Sequence, residues 1–308
     1  MAGSAPRLSI GLPVFNGERW VARAIQSLLE QSYRDFVLVV SDNASTDGTE
    51  QVVRGLAAED PRIRYVRQPE NRGGAWNFNE VFRLRDPGSE FFKWQAADDQ
   101  VRPGFLEALI PVLDEQPDVV LTHCRSVDVF PDGSEQLQWP SPGGDDPDVV
   151  RRFADYTRHR HAALQQFGVV RSAVLARTAL LAPFSDADLS LLAEISLYGR
   201  LVDVDEVLFA RHVHDQQSTA AFRTRRERMT WWDPESAERL VLVPTWLMGR
   251  ELLRAIDRAP LTREQRSGCL RALLPWAADS GLRLGNDLAS SARAVAQHAL
   301  AGVRRAAR

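Results

Sequence analysis

"LSIGLPVFNGERWVARAIQSLLEQSYRDFVLVVSD", residues 8–42, carries a strand–helix–strand pattern. It opens with a short apolar run, "LSIGLPV" (8–14). In the next segment, "ERWVARAIQSLLEQ" (18–31), Val21, Ala24, Ile25, Leu28 and Leu29 recur at the 3.6-residue spacing of an amphipathic helix. "FVLVV" (36–40) is a continuous apolar, valine-rich run, as expected of a strand covered on both faces. Two such strands joined by one helix predict a parallel pair with a crossover.

The same alternation extends outward. "SDNASTDGTEQVVRGLAAE" offers Ser45 or Thr46 as the cap of a helix beginning near Asp47. "IRYV" (63–66) and "FFKW" (91–94) read as further strands. Pro103 opens a helix with Leu106, Leu109, Ile110 and Leu113 on one face, and "VVLTH" (119–123) closes the series. The order predicts an α/β fold, a Rossmann-like, mainly parallel sheet flanked by helices. Ligands of such sheets bind beyond the carboxyl ends of the strands. That rule gathers Pro13–Gly17, Ser41–Asp47 and the pair Asp98–Asp99 at one rim.

Past residue 130 the texture changes. "PDGSEQLQWPSPGGDDPD" (131–148) reads as a long loop, mobile or a lid. A helix is expected over about 186–198, then a strand in "LVDVDEVLFARH" (201–212). From about 223 the pattern is helical, with Trp231, Trp232, Trp246 and Trp276. These tryptophans suit an aromatic core, a sugar-stacking platform, a dimer face or a membrane-surface contact. Three divisions result: 1–125, 126–222 and a helical extension over 223–308.

A net charge of -3 gives no general attraction to nucleic acid, and "RTRRER" (223–228) and "RRAAR" (304–308) read as a solvated face and a frayed tail. Cys124 and Cys269 make neither a metal spacing nor a disulfide framework, which suits a reducing compartment. The N-terminus lacks an apolar signal core, and no apolar run approaches the roughly 20 residues of a membrane span. The expected location is cytoplasmic, or peripheral at the inner face of a membrane.

Asp98 and Asp99 follow an apolar strand with no basic neighbour before Arg102. Adjacent carboxylates repel, so a missing positive partner is implied. Mg²⁺ or Mn²⁺ fits, because hard cations bind one or two carboxylates together with substrate phosphates. Acidic residues before a helix would also complement its dipole. Asp42, just past its strand, can meet a base or ribose, or form an Asx turn. No dinucleotide glycine spacing and no G-x-x-x-x-G-K-[ST] occurs, which disfavours dehydrogenases and P-loop kinases.

"LPVFNGERWVARAIQSLLEQSYRDFVLVVSDNASTDGT", "ENRGGAWNFN" and "FFKWQAADD", in that order, resemble the nucleotide-binding half of family 2 glycosyltransferases of the GT-A fold, over about the first 125 residues. "SDADLSLLAEISLYGRLVDVDEVLFARHVHDQQS" is similar to the acceptor half of bacterial members. The resemblance implies an inverting transfer of sugar from a nucleoside diphosphate sugar, UDP favoured, to an acceptor hydroxyl on a saccharide, lipid-linked or natural-product molecule. It assigns Pro13, Val14, Phe15 and Asn16 to the nucleoside loop, Asp42 to the base, and Asn71, Arg72 and Gly73 to a turn near the nucleotide. Asp98, with Asp99 assisting, matches the end of the metal motif, whose first aspartate is here Ala96. Asp188 matches the general base, with Asp186 its rival, and one of the two can instead cap the helix. His214 matches a ligand of the metal or the diphosphate, with His212 as neighbouring alternative. A nucleotidyltransferase, or a sugar-nucleotide-binding scaffold with decayed catalysis, is the rival reading.

Overall fold

The computed structural model describes residues 5–138, 141–158, 161–217, 221–222 and 224–306. Strands β1 (Leu8–Val14), β2 (Phe36–Asp42), β3 (Ile63–Arg67) and β4 (Phe91–Trp94) lie parallel in the order β3-β2-β1-β4. Helices α1 (Val21–Leu29), α2 (Thr49–Glu59) and α3 (Gly74–Arg83) make the crossovers. The predicted stripe of α1 is the buried one: Val21, Ala24, Ile25 and Leu28 face the sheet.

β1 is buried along its whole length. Leu8, Ile10 and Leu12 have no exposed surface, and each contributes about 1.5–3 kcal/mol of burial. Gly11 lets α3 approach the strand: a Cβ there would lie 2.6 Å from Val81 Cγ2. The register sets Val14 opposite Asp42 and Asp42 opposite Arg67, so three strands end level. β4 ends opposite Gly11, and the following residues run along the rim past the end of β1.

Next come β5 (Gln100–Val101), α4 (Phe105–Glu115), β6 (Val119–Val129) and β7 (Glu135–Leu137). They are followed by α5 (Val149–Arg158), β8 (Val169–Arg171), α6 (Ser172–Leu175), α7 (Ala187–Ile195) and β9 (Arg200–His212). β8 runs antiparallel between β4 and β6, and β9 lies parallel to β6. Six of the nine strands therefore point one way, with β5, β7 and β8 opposed. The mainly parallel, helix-flanked sheet expected from the sequence is present.

Two local expectations are corrected. The segment 131–148 is not loop throughout, because Glu135–Leu137 pairs with β6. Asp132 Oδ1 accepts from Ser134 N and Oγ and tightens the hairpin; residues 139–140 lie outside the described residues. Ser45 and Thr46 do not cap α2. The N-cap position is Gly48, Asp47 Oδ1 just before it accepts from Thr49 N, and Ser45 Oγ and Thr46 N are taken by Asn16.

The C-terminal layer comprises α8 (Arg225–Trp232), α9 (Pro244–Arg258), α10 (Arg263–Asp279) and α11 (Gly281–Ala306). Capping boxes at Thr224/Glu227 and Thr262/Gln265 start α8 and α10. Arg258 of α9 binds Glu194 of α7 at 2.8 Å, tying the layer to the core. Trp232 and Trp276 are buried, whereas Trp246 is half exposed.

Candidate active site

At the carboxyl rim, the end of β1 meets the end of β2. Pro13 and Val14 are buried within the sheet, and Val14 O accepts from Asn43 N. Phe15 and Asn16 are the exposed members of that loop. Asn16 adopts φ 53°, and its Oδ1 receives Thr46 N at 2.8 Å.

Asp42 has no exposed surface. Its Oδ1 accepts from Ser45 N at 2.7 Å, and its Oδ2 accepts from Tyr65 Oη at 2.6 Å and Arg67 Nη1 at 3.0 Å. The carboxylate thus fixes the Asn43–Thr46 turn and links β2 to β3. Burial and the hydrogen bond to Asp42 push the Tyr65 phenol well upward.

The Asn71–Gly73 turn is held by Asn43, a residue that sequence reasoning missed. Asn43 Nδ2 donates to Asn71 Oδ1 at 2.8 Å, and Asn43 Oδ1 accepts from Arg72 N. The Arg72 guanidinium, half exposed, lies over the Trp76 ring. Gly73 has φ 86°, and a Cβ there would fall 2.4 Å from Pro234 Cδ. The start of α3 is therefore packed directly under the C-terminal layer.

Asp98 and His214 come together from 116 residues apart, with Asp98 Oδ2 3.1 Å from His214 Nε2. His214 stacks on Trp20 with centroids 4.4 Å apart, and the Arg23 guanidinium covers the same indole. Trp20 also escaped the sequence reading; its only signal was an aromatic beside the nucleoside loop. Asp99 is turned inward: it is buried, and its Oδ1 accepts from His212 N at 3.0 Å. That bond clips the end of β9 to the acidic turn. Burial, then the neighbouring Asp98 charge, hold the Asp99 carboxyl well above its ordinary range.

Beneath this turn lies Lys93, the chain's one lysine among 38 basic residues, with no exposed surface. Its Nζ donates to Trp94 O at 2.9 Å and Gln95 Oε1 at 3.0 Å, between the Phe105 and Phe209 rings. Gln95 Nε2 donates onward to Asp99 O at 2.8 Å. Burial pushes the ammonium down to about 7. The signal for it was a lone lysine inside an apolar strand.

Asp188 stands in the first turn of α7, half-buried, with Oδ1 accepting from Leu189 N. Burial, then Asp186, push its carboxyl up to about 6. Asp186 precedes the helix with φ 66° and makes no side-chain capping bond. The approach to α7 leans on α8, through Trp232 Nε1 to Ala182 O and Ser185 N to Met229 Sδ. Trp231 and Trp232 of α8 also cover Gly74, so α8 spans from the Asn71–Gly73 turn to the neighbourhood of Asp188.

Residues 9–173, more than half of the chain, match the profile described as glycosyl transferase family 2. The chain belongs to this family. A Campylobacter jejuni relative, GalNAc(5)-diNAcBac-PP-undecaprenol beta-1,3-glucosyltransferase, is 32% identical over 119 residues, covering 39% of this family 2 chain and 38% of that protein. The match thus spans well under half of that relative's length. Staphylococcus aureus TarS 1-349, crystallised with UDP-GlcNAc, superposes with a TM-score of 0.65 at 17% identity, over 94% of this chain and 81% of that one. The mannosyltransferase PcManGT of Pyrobaculum calidifontis, solved with GDP-Man and Mn²⁺, superposes with a TM-score of 0.52 at 18% identity, over 93% and 86%. These likenesses show the fold.

Proposed function

We propose that this chain transfers a sugar from a nucleoside diphosphate sugar, with UDP the favoured nucleotide, to an acceptor hydroxyl with inversion at the anomeric carbon. The observation that carries the reading is the meeting of Asp98 and His214 at the rim. Among the described residues no group of three or more His, Cys, Asp or Glu forms a metal cage. Two protein groups completed by phosphate oxygens are nevertheless the ligation that Mg²⁺ and Mn²⁺ use with nucleotides. Asp98 and His214 would hold the ion, with Asp99 fixing the turn behind them; bound there, it would offset the charge growing on the leaving diphosphate. The nucleotides in the TarS and PcManGT structures, and the Mn²⁺ of the latter, support this reading.

In this scheme residues 1–125 bind the donor, residues 126–222 the acceptor, and residues 223–308 brace both. Phe15 and Asn16 line the nucleoside, Asp42 holds the base-side turn, and Arg72 swings from Trp76 to a phosphate. Asp188 accepts the proton of the acceptor hydroxyl. That oxygen bonds to the anomeric carbon from the face opposite the diphosphate, whose C–O electron pair leaves with it. A carboxyl raised to about 6 is a stronger base than an ordinary aspartate and is still ionised at neutral pH. The free, buried Cys124 and Cys269 suit a cytoplasmic setting. The hairpin region 131–148 closes over the donor and limits hydrolysis.

The test is release of nucleoside diphosphate from UDP-sugars with Mn²⁺ or Mg²⁺ across saccharide, lipid-linked and natural-product acceptors. Turnover that falls by about 10²-fold or more in Asp188→Asn supports the assignment. Binding without turnover on every acceptor would assign the chain to a nucleotide-sugar-binding scaffold instead.

A further inference from the structure

Eleven large hydrophobic side chains are exposed among the described residues, and nine of them fall between Leu240 and Val295. They are not scattered. Trp246 Nε1 donates to Leu284 O, Leu242 N to Ser291 Oγ, and Thr245 N to Asp287 Oδ2. These bonds lay the segment leading into α9 alongside the first half of α11. Val241, Trp246, Leu282, Leu288 and Val295 are all more than two-fifths exposed around that seam. A water-soluble surface rarely leaves so much apolar area uncovered without a partner.

The charge of the same region is one-sided. Residues 223–308 carry sixteen arginines against nine acidic residues, a net +7, while residues 1–222 balance at −10. Within α11 the sequence has four arginines and one acidic residue, Asp287, which is buried and paired with Arg225. Its exposed face therefore carries no carboxylate. Arg250 stands exposed on α9 between Trp246 and Leu253, and Arg293 is exposed on α11.

We propose that the outer face of α9 and α11 docks on the surface of an anionic lipid bilayer. The occupant must be apolar and negative at once. A bilayer interface supplies both, with acyl chains for the leucines and Trp246 and headgroup phosphates for the arginines. A second copy of the chain fits worse, because a two-fold contact sets each arginine-bearing face against itself. No helix among the described residues is long and apolar enough to cross a membrane, so the contact lies in the interface plane. α8 connects this face to the cleft: Arg225 pairs with Asp287 of α11, and Trp231 and Trp232 cover Gly74. On the sugar-transfer reading, and resting on it, a lipid-carried acceptor then meets the cleft at the membrane surface.

The experiment is co-sedimentation of the whole chain with phosphatidylcholine vesicles, with and without phosphatidylglycerol, at low and high salt. It needs no activity, so its failure is separate from failure of the transfer reading. Binding is expected to be at least about tenfold tighter to the anionic vesicles and to weaken with salt. The double variant Leu288→Ser/Val295→Ser and the double variant Arg250→Gln/Arg293→Gln should each reduce it, with unchanged circular dichroism. Equal or absent binding to the two vesicle types overturns the proposal. So does retained binding in both variants, or a solution dimer that the serine variant dissociates.

Discussion

Replacing Lys93 by Met should remove a specific pH dependence of stability. The ammonium is fully buried, and its midpoint falls from 10.5 to about 7. A folded-state value below the unfolded one means that, between about 7 and 10.5, the unfolded chain holds a proton that the folded chain has released. Stability therefore rises with pH across that window, and the full cost of burying the charge applies below it. At about 1.4 kcal/mol per pH unit, the whole rise is about 5 kcal/mol. The Met variant lacks this contribution, although it leaves Trp94 O and Gln95 Oε1 without their donor. Cys124, whose thiol burial pushes up to about 12, loses the Lys93 charge that lowers it and rises further, beyond the pH range of the measurement. Asp99 loses a compensating cation, and its carboxyl rises further. Urea unfolding at a series of pH values from 6 to 10 reads the effect. The wild-type minus variant stability should climb by about 1 kcal/mol or more per pH unit above 7.5. Parallel curves would mean that Lys93 titrates alike in the folded and unfolded chains.

Asp188→Asn should lower kcat by about 10²–10⁴-fold while leaving nucleotide affinity within about twofold, measured by turnover and calorimetry. Wild-type activity should fall as pH drops through about 6, where Asp188 takes up a proton and can no longer accept one, and residual activity of the variant should lack that limb. Trp20→Ala removes the ring stacked on His214 and should weaken Mn²⁺ binding by about tenfold, followed by electron paramagnetic resonance. Gly73→Ala forces a side chain into the left-handed region and against Pro234, and should cost about 1–3 kcal/mol, read as a lower melting temperature.

The sheet was legible because buried parallel strands are written as unbroken apolar runs, as in "FVLVV", with helices marked by one-sided periodicity as in α1. The rim was legible for the same reason: strand ends locate the turns that follow them. The short β7 was not, because three exposed residues carry no apolar pattern, although Asp132–Gly133 marked the hairpin. Asp98 and His214 were both named through the family resemblance, yet nothing in residue spacing pairs groups 116 positions apart. The inward turn of Asp99, the saturation of Asp42 by Tyr65 and Arg67, and the lock of Asn43 on Asn71 are tertiary facts of the same kind. Each depends on which of several polar neighbours reaches a carboxylate or amide first.

On the proposed reading, the acidic turn and His214 together receive a diphosphate through a divalent cation. Calorimetric titration of UDP into the wild type and into Asp98→Asn, each with and without Mn²⁺, tests it most directly. Binding to the wild type should weaken at least about tenfold when Mn²⁺ is withheld, and the variant should gain nothing from the ion. UDP affinity indifferent to Mn²⁺, or an Asp98→Asn variant that still responds to it fully, would leave this turn no part in holding the cation.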